Sequence, residues 1–343
     1  MKSVRLKNYG KINKDKVISF SWNNKKYQGF EGDTLASALL ANNIGVVGRS
    51  FKYHRPRGIF SSGVEESGAL VTIGSKDKRD PNVRATSQEL YDGLRARGQN
   101  AFPNVNFDLG EINNYLSRFF AVGFYYKTFM GIPPFEWGKG TTIWMLFEKL
   151  IRRAAGMGTA SRLPDPDCYE HAHDFCDVIV IGSGPSGIAA AIEAAEKKLD
   201  VIVIEQDNLI GGDQLSENNF NSLINLEQLK NLGIKVMTRT TAFGLYDNCV
   251  IGLLERVTDH VSNPDTKLPR QRFWTIRAKH IIVGSGALER HIAFNNNDIP
   301  GVMTVNASKQ YLNRYGVLTG KNIVIATNND SVYETASQLS TAG

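Results

Sequence analysis

Residues 177–205 constrain this chain of 343 residues more than any other stretch. They read DVIVIGSGPSG, then IAAAIEAAEKK, then DVIVIE after Leu199. An apolar strand runs into a tight turn and an alanine-rich helix, and a second apolar strand follows, which predicts the opening of a Rossmann-like α/β sheet. Gly182, Gly184 and Gly187 space out G-x-G-x-x-G, with Ser183, Pro185 and Ser186 between them. The first glycine permits the sharp turn, the second lets a pyrophosphate approach the backbone, and the third lets helix and strand pack closely. The helix N-terminus then offers free N–H groups and the positive end of its dipole to phosphate. Glu205 closes the second strand, where a carboxylate accepts hydrogen bonds from the adenosine ribose and disfavours a 2′-phosphate.

Further along, HIIVGSGALER at 280–290 predicts another buried strand that ends in Gly284 and Gly286. With Gly212 they complete the candidate cofactor-binding set. The stretch 235–279 reads as alternating strands with a hairpin turn at Asp247-Asn248. A second strand–helix unit begins at about 320, but Thr327, Asn328 and Asn329 stand where a phosphate turn needs glycine. That unit reads as degenerate, and because it stops at Gly343 the chain is expected to be an N-terminal fragment.

Ahead of the glycine motif, 17–22 (VISFSW) and 25–30 (KKYQGF) alternate as strands about an Asn23-Asn24 turn. Asp33 or Thr34 can cap a helix through LASALLANN, and ALVTI at 69–73 adds a strand. These elements predict a small β-grasp-like module over 1–80. Residues 81–165 read as a helical or irregular connection, with helical stretches at 86–97 and 141–155, and the turn-rich LPDPD at 163–167 marks the boundary to a Rossmann-like domain over 166–343.

Charge separates the same two halves. Residues 1–160 hold 24 Lys+Arg against 13 Asp+Glu, and residues 161–343 hold 16 against 21. The basic residues are dispersed and carry no nucleic-acid motif, so an acidic partner or a cofactor phosphate fits better than nucleic acid. No run of about 18 apolar residues predicts a membrane span. Three cysteines, at 168, 176 and 249, cannot all pair, which favours the cytoplasm.

Several long segments resemble one family, the alpha subunit of heterotetrameric sarcosine oxidase. They are GDTLASALLAN at 32–42, VGRSFKYHRPRGIFSSG at 47–63, FDLGEINNYLSRFF at 107–120, GFYYKTFM at 123–130 and NNNDIPGVM at 295–303. The resemblance implies a Rossmann-like domain of the two-dinucleotide-binding type behind a β-grasp, ferredoxin-like module. It implies a flavin-dependent complex with beta, gamma and delta subunits that oxidatively demethylates sarcosine to glycine, with hydrogen peroxide, and with methylenetetrahydrofolate when tetrahydrofolate is present. NAD is expected on this chain, with FAD as the alternative, FMN at a subunit interface and FAD on the partner. A [2Fe–2S] cluster needs four cysteine thiolates, and the corresponding loop here holds Ser61, Glu66 and Ala69, so no iron–sulfur cluster is expected.

Smaller signals weigh less. Lys52, His54, Arg55 and Arg57 could hold a flavin phosphate or a partner, or simply anchor a loop. His171 and His173 lack further ligands at metal-site spacing, so no metal is expected. Cys168 and Cys176 have no basic neighbour to activate them, and the aromatic stretch 119–137 reads as core or subunit interface. No residue stands out as acid, base or nucleophile, and the resemblance implies that catalysis lies on a partner subunit. The rival readings are a self-sufficient FAD-dependent pyridine-nucleotide reductase and a non-catalytic docking or scaffold subunit of another amine dehydrogenase.

Overall fold

The computed structural model describes residues 3–117, 158–217 and 226–343, together with 145, 148 and 149. After β1 (Val4–Arg5), β2 (Asn13–Trp22) and β3 (Lys25–Glu31) form the expected hairpin. Its turn residues Asn23 and Asn24 have φ of 47° and 66°, the left-handed pair that asparagine tolerates and that matches strand twist. Ile18, Phe20 and Trp22 alternate into the core. Thr34 caps α1 (Leu35–Ala41) and Ser37 returns the bond, a full capping box.

Two short strands follow, β4 (Gly48–Arg49) and β5 (Pro56–Arg57). Next come β6 (Leu70–Ile73), β7 (Asp80–Arg84), β8 (Arg95–Gly98) and the one-turn α2 (Ile112–Tyr115). The sheet order β3-β2-β8-β6-β7, with β2 and β8 parallel, is a β-grasp arrangement.

The second sheet is built from β9 (Tyr169–Ile181), β10 (Val201–Ile204), β11 (Lys235–Met237), β12 (Thr240–Tyr246), β13 (Val250–Arg256) and β14 (Gln271–Val283). Its order is β11-β10-β9-β14-β13-β12. The first four strands run parallel and β12, β13 and β14 form an antiparallel meander. Helix α3 (Pro185–Glu196) packs Ile188 and Ala191 on Val178, Val180 and Val203, while Ile179, Ile202 and Ile204 meet Ile251, Leu253 and Ile276 on the opposite face. Burial on both faces explains the unbroken apolar runs of β9 and β10, whereas the run at the end of β14, expected to be buried, is half-buried and leaves Val283 61% exposed. The register Ile181↔Ile204 and Ile181↔Val283 brings the carboxyl ends of β9, β10 and β14 level. Such ends are where open α/β sheets bind ligands. Helix α4 (Leu226–Asn231) lies between β10 and β11 in the chain.

The closing elements are α5 (Val305–Asn313), β15 (Val317–Leu318) and α6 (Tyr333–Ala342). Ala307, Tyr311, Tyr315 and Val317 insert into the β-grasp core, and β15 pairs with β1, Val4 opposite Leu318. The first core is therefore completed by residues some three hundred positions downstream.

Two expectations are corrected. Residues 86–97 are not helical: Gly93 takes φ 81°, which ends any helix, and Arg95–Gly98 find ladder partners on β2 and β6. The strand expected at the start of the second unit does not form. Residues 322–327 have no ladder partner among the described residues, and Val324 is 95% exposed; a strand without a neighbour has nothing to hold it. Most of the helix expected at 141–155, and all of the aromatic stretch 119–137, lie outside the described residues. No helix among the described residues is long and apolar enough to cross a membrane.

Candidate functional site

The glycine turn joins β9 to α3. Gly182 has φ 102°, and a methyl there would collide with the Gly284 carbonyl oxygen. A methyl on Gly187 would run into the Gly182 carbonyl. Gly184 differs, because nothing lies within 4 Å of where its Cβ would sit. It is the N-cap of α3, with Pro185 at the first helical position. The helix N-terminus thus opens onto free space with its N–H groups uncovered, a cradle suited to a pyrophosphate.

That space is a cleft of about 390 Å³. Gly182, Ser183, Gly184, Pro185, Ser186, Glu205, Gly212, Gly284 and Gly286 all line it. Gly187 does not; it lies beneath, where helix meets strand. The Glu205 carboxylate is 8% exposed as a residue and accepts from Ser183 N–H and O–H and, at 2.9 Å, from Asp207 N–H.

The other walls were not foreseen. Thr34, Ser62–Glu65, Thr86, Ser87 and Glu89 reach the cleft from the β-grasp module, Arg256 from β13, and Arg314 and Tyr315 from the end of α5. Ion pairs hold these walls together. Arg314 grips Asp207 through both terminal nitrogens, 2.5 and 2.8 Å. Arg239 grips Glu89 at 2.7 and 2.8 Å, and Arg256 donates to the Ser87 and Gln206 carbonyls at 2.8 and 3.1 Å. Burial alone raises the Asp207 pKa, but Arg314 and two backbone N–H groups outweigh it and hold the carboxyl below its ordinary value.

The basic segment turns inward. Arg55 donates to Asn296 and Asp298, Arg57 donates to Asp298, and His54 Nδ1 lies 2.6 Å from Asp108. Arg55 and Arg57 thus tie the module to the 296–298 turn. Burial raises the Asp298 pKa, and the two guanidiniums more than reverse it. A depressed carboxyl contributes stability above its unfolded pKa that is lost as pH falls through its folded value. D298N is therefore expected to be less stable than wild type at pH 7 and to lose that deficit at a pH below the folded Asp298 value. Urea unfolding at both pH values checks this, and an equal deficit at both contradicts it. Cys176 is buried, which with Asp200, Asp174 and Asp177 pushes its thiol up to about 12.

Residues 177–276 match the family described as FAD dependent oxidoreductase, and residues 15–101 match the 2Fe-2S iron-sulfur cluster binding domain family. All of the chain aligns at 47% identity, over 352 residues, with the sarcosine oxidase subunit alpha of Rhizobium meliloti (strain 1021), covering 35% of that protein. Alignment with the same subunit of Corynebacterium sp. (strain U-96) gives 32% identity over 97% of this chain and 30% of that protein. The chain spans about a third of the length of these curated relatives. Among solved structures, L-proline dehydrogenase from P. horikoshii shares the fold with a TM-score of 0.56 at 20% identity, over 94% of this chain and 50% of that one.

The match over 15–101 overturns the expectation that no iron–sulfur cluster belongs here, since the module falls within a cluster-binding family. The donors in this stretch are not the thiolates such a cluster takes: the first cysteine is Cys168, and Glu66 stands in the loop with its carboxylate on backbone N–H groups.

Proposed function

The chain belongs to the sarcosine oxidase alpha-subunit family, about a third of whose length it spans, and from that premise we propose that it is the dinucleotide-binding subunit of a cytoplasmic, flavin-dependent sarcosine oxidase complex. The observation that carries this reading is the open glycine cradle at α3 within a chain alike over its whole length to that subunit. The complex removes two electrons from the N-methyl group of sarcosine, and water then releases glycine and the methyl carbon as formaldehyde. Dioxygen takes the electrons as hydrogen peroxide, and tetrahydrofolate, when present, takes the one-carbon unit as methylenetetrahydrofolate. A flavin supplies the electron-accepting ring.

This chain's residues bind rather than react. The α3 N–H groups receive the pyrophosphate, Glu205 faces the sugar, and the β-grasp module covers the cleft. Beta, gamma and delta subunits are the proposed partners. The rival pyridine-nucleotide reductase needs a second nucleotide turn. At 327–331 the turn's donors are already engaged: Asn329 N–H binds Thr327 Oγ1, and Ser331 N–H binds Asn329 Oδ1, which weighs against it.

The test is oxygen uptake with sarcosine by the chain within its full-length subunit, co-expressed with its partners, together with mass-spectrometric identification of the dinucleotide released on denaturation. Sarcosine-dependent uptake is expected to accompany a stoichiometric dinucleotide. No uptake overturns the substrate, and no dinucleotide overturns the role of this chain.

A further inference from the structure

The loop after β5 has an unusual support. Glu66 is 2% exposed, and its carboxylate accepts from the N–H groups of Phe60, Ser61, Gly68 and Ala69 at 2.8, 2.8, 2.5 and 2.9 Å. Thr86 Oγ1 donates to the Gly63 carbonyl at 2.7 Å, and Tyr311 O–H donates to the Ser61 carbonyl at 2.8 Å. Held from three sides, the loop presents Ser62–Glu65 to the dinucleotide cleft, and Glu65 folds back over Gly63, where any side chain would displace it.

Of the charged groups around this cleft, Asp213 is exposed to solvent and most of the others are engaged. Asp207 is matched by Arg314 and Glu89 by Arg239, Arg256 lies on carbonyls, and Glu205 holds Ser183. Glu289 accepts the first two N–H groups of α5. Glu65 makes no hydrogen bond or ion pair among the described residues. A carboxylate held in a cleft wall without a donor is an acceptor waiting for one. It suits hydroxyl groups and repels phosphate, so it complements the glycine turn, which takes the phosphates.

We propose that Glu65 is a specificity-determining residue of the cleft, accepting hydrogen bonds from the sugar hydroxyls of the bound dinucleotide, with Glu66 as the residue that positions it. The inference rests on the dinucleotide reading above. It gives the β-grasp module a direct part in ligand recognition.

The test titrates the 343-residue chain and its E65A and E65Q variants with two probes, ADP-ribose and inorganic pyrophosphate. E65A is expected to weaken ADP-ribose binding roughly 10- to 100-fold, the scale of one hydrogen bond to a charged group, with E65Q between it and wild type. Pyrophosphate, which meets only the glycine turn, is expected to bind both variants no more weakly than wild type. The ligand-free melting temperatures should coincide, because Glu65 supports nothing in the fold. ADP-ribose binding unchanged in E65A overturns this inference alone, and so does an equal loss of both probes. A wild-type chain that binds neither probe overturns the dinucleotide reading beneath it.

Discussion

Gly187→Val abolishes dinucleotide retention and costs the fold about 3 kcal/mol or more, the upper range for forcing atoms into a packed interior. The new side chain meets the Gly182 carbonyl, which is fixed backbone, so α3 must move off β9. The N–H groups at the helix start move with it, and with the pyrophosphate placed there as proposed, affinity is expected to fall at least roughly 100-fold. Gly184→Ala is the informative comparison. Its methyl meets no protein atom, so the melting temperature should hold, yet it projects from the helix cap into the cleft and dinucleotide binding should weaken. Thermal unfolding with and without dinucleotide separates the two effects. A Gly184→Ala chain that retains full affinity contradicts the placement of the pyrophosphate at this turn.

The second large effect is expected from Arg5→Met. The Asp33 side chain is fully buried, and Arg5 meets it with two bonds of 3.1 and 2.7 Å, backed by Ser37 Oγ at 2.6 Å and Phe30 N–H at 2.9 Å. Removing the guanidinium leaves a buried carboxylate with half its partners and costs about 3–5 kcal/mol. The pH dependence has a definite sign. Burial is the largest influence on Asp33 and already raises its pKa above the ordinary value despite Arg5. Without Arg5 it rises further, so the folded variant binds a proton that the unfolded chain does not. The deficit should therefore shrink as pH falls through the raised folded pKa towards the unfolded value. Adding Asp33→Asn should recover much of the loss at pH 7. Denaturant unfolding across pH 4–8 checks both, and a pH-independent deficit contradicts the assignment.

What could be read from the chain alone follows the range of the forces involved. The Asn23-Asn24 turn, the Thr34 cap and the glycine motif between β9 and α3 are settled by neighbours within a few residues, so local chemistry reveals them. The nine site residues around the turn come together because β9, β10 and β14 end level, an outcome of strand register that the apolar runs already imply. The β-grasp side of the cleft was hidden for the opposite reason. Nothing near Glu65 or Glu89 in the chain indicates that α5 and β13 will close against them. The same holds for Arg55 and Arg57, whose partner Asp298 is some 240 positions away. Residues 86–97 carry apolar spacing compatible with a helix, but Leu90 and Leu94 are buried from a turn and a strand edge instead.

The insertion of α5 and β15 into the first core also sets a timetable for synthesis. Tyr311 and Tyr315 are among the largest fully buried side chains of the molecule, and the β-grasp sheet is translated through β8 long before they exist. At about 5–20 residues per second, the roughly 220 residues from β8 to β15 take on the order of 10–40 s to emerge. During that interval the core that Phe20, Leu35 and Leu39 share with these tyrosines is incomplete. The nascent module is an open half-core, and chaperone occupancy on ribosomes stalled before residue 305 should exceed that on ribosomes stalled after residue 318 and its passage through the exit tunnel.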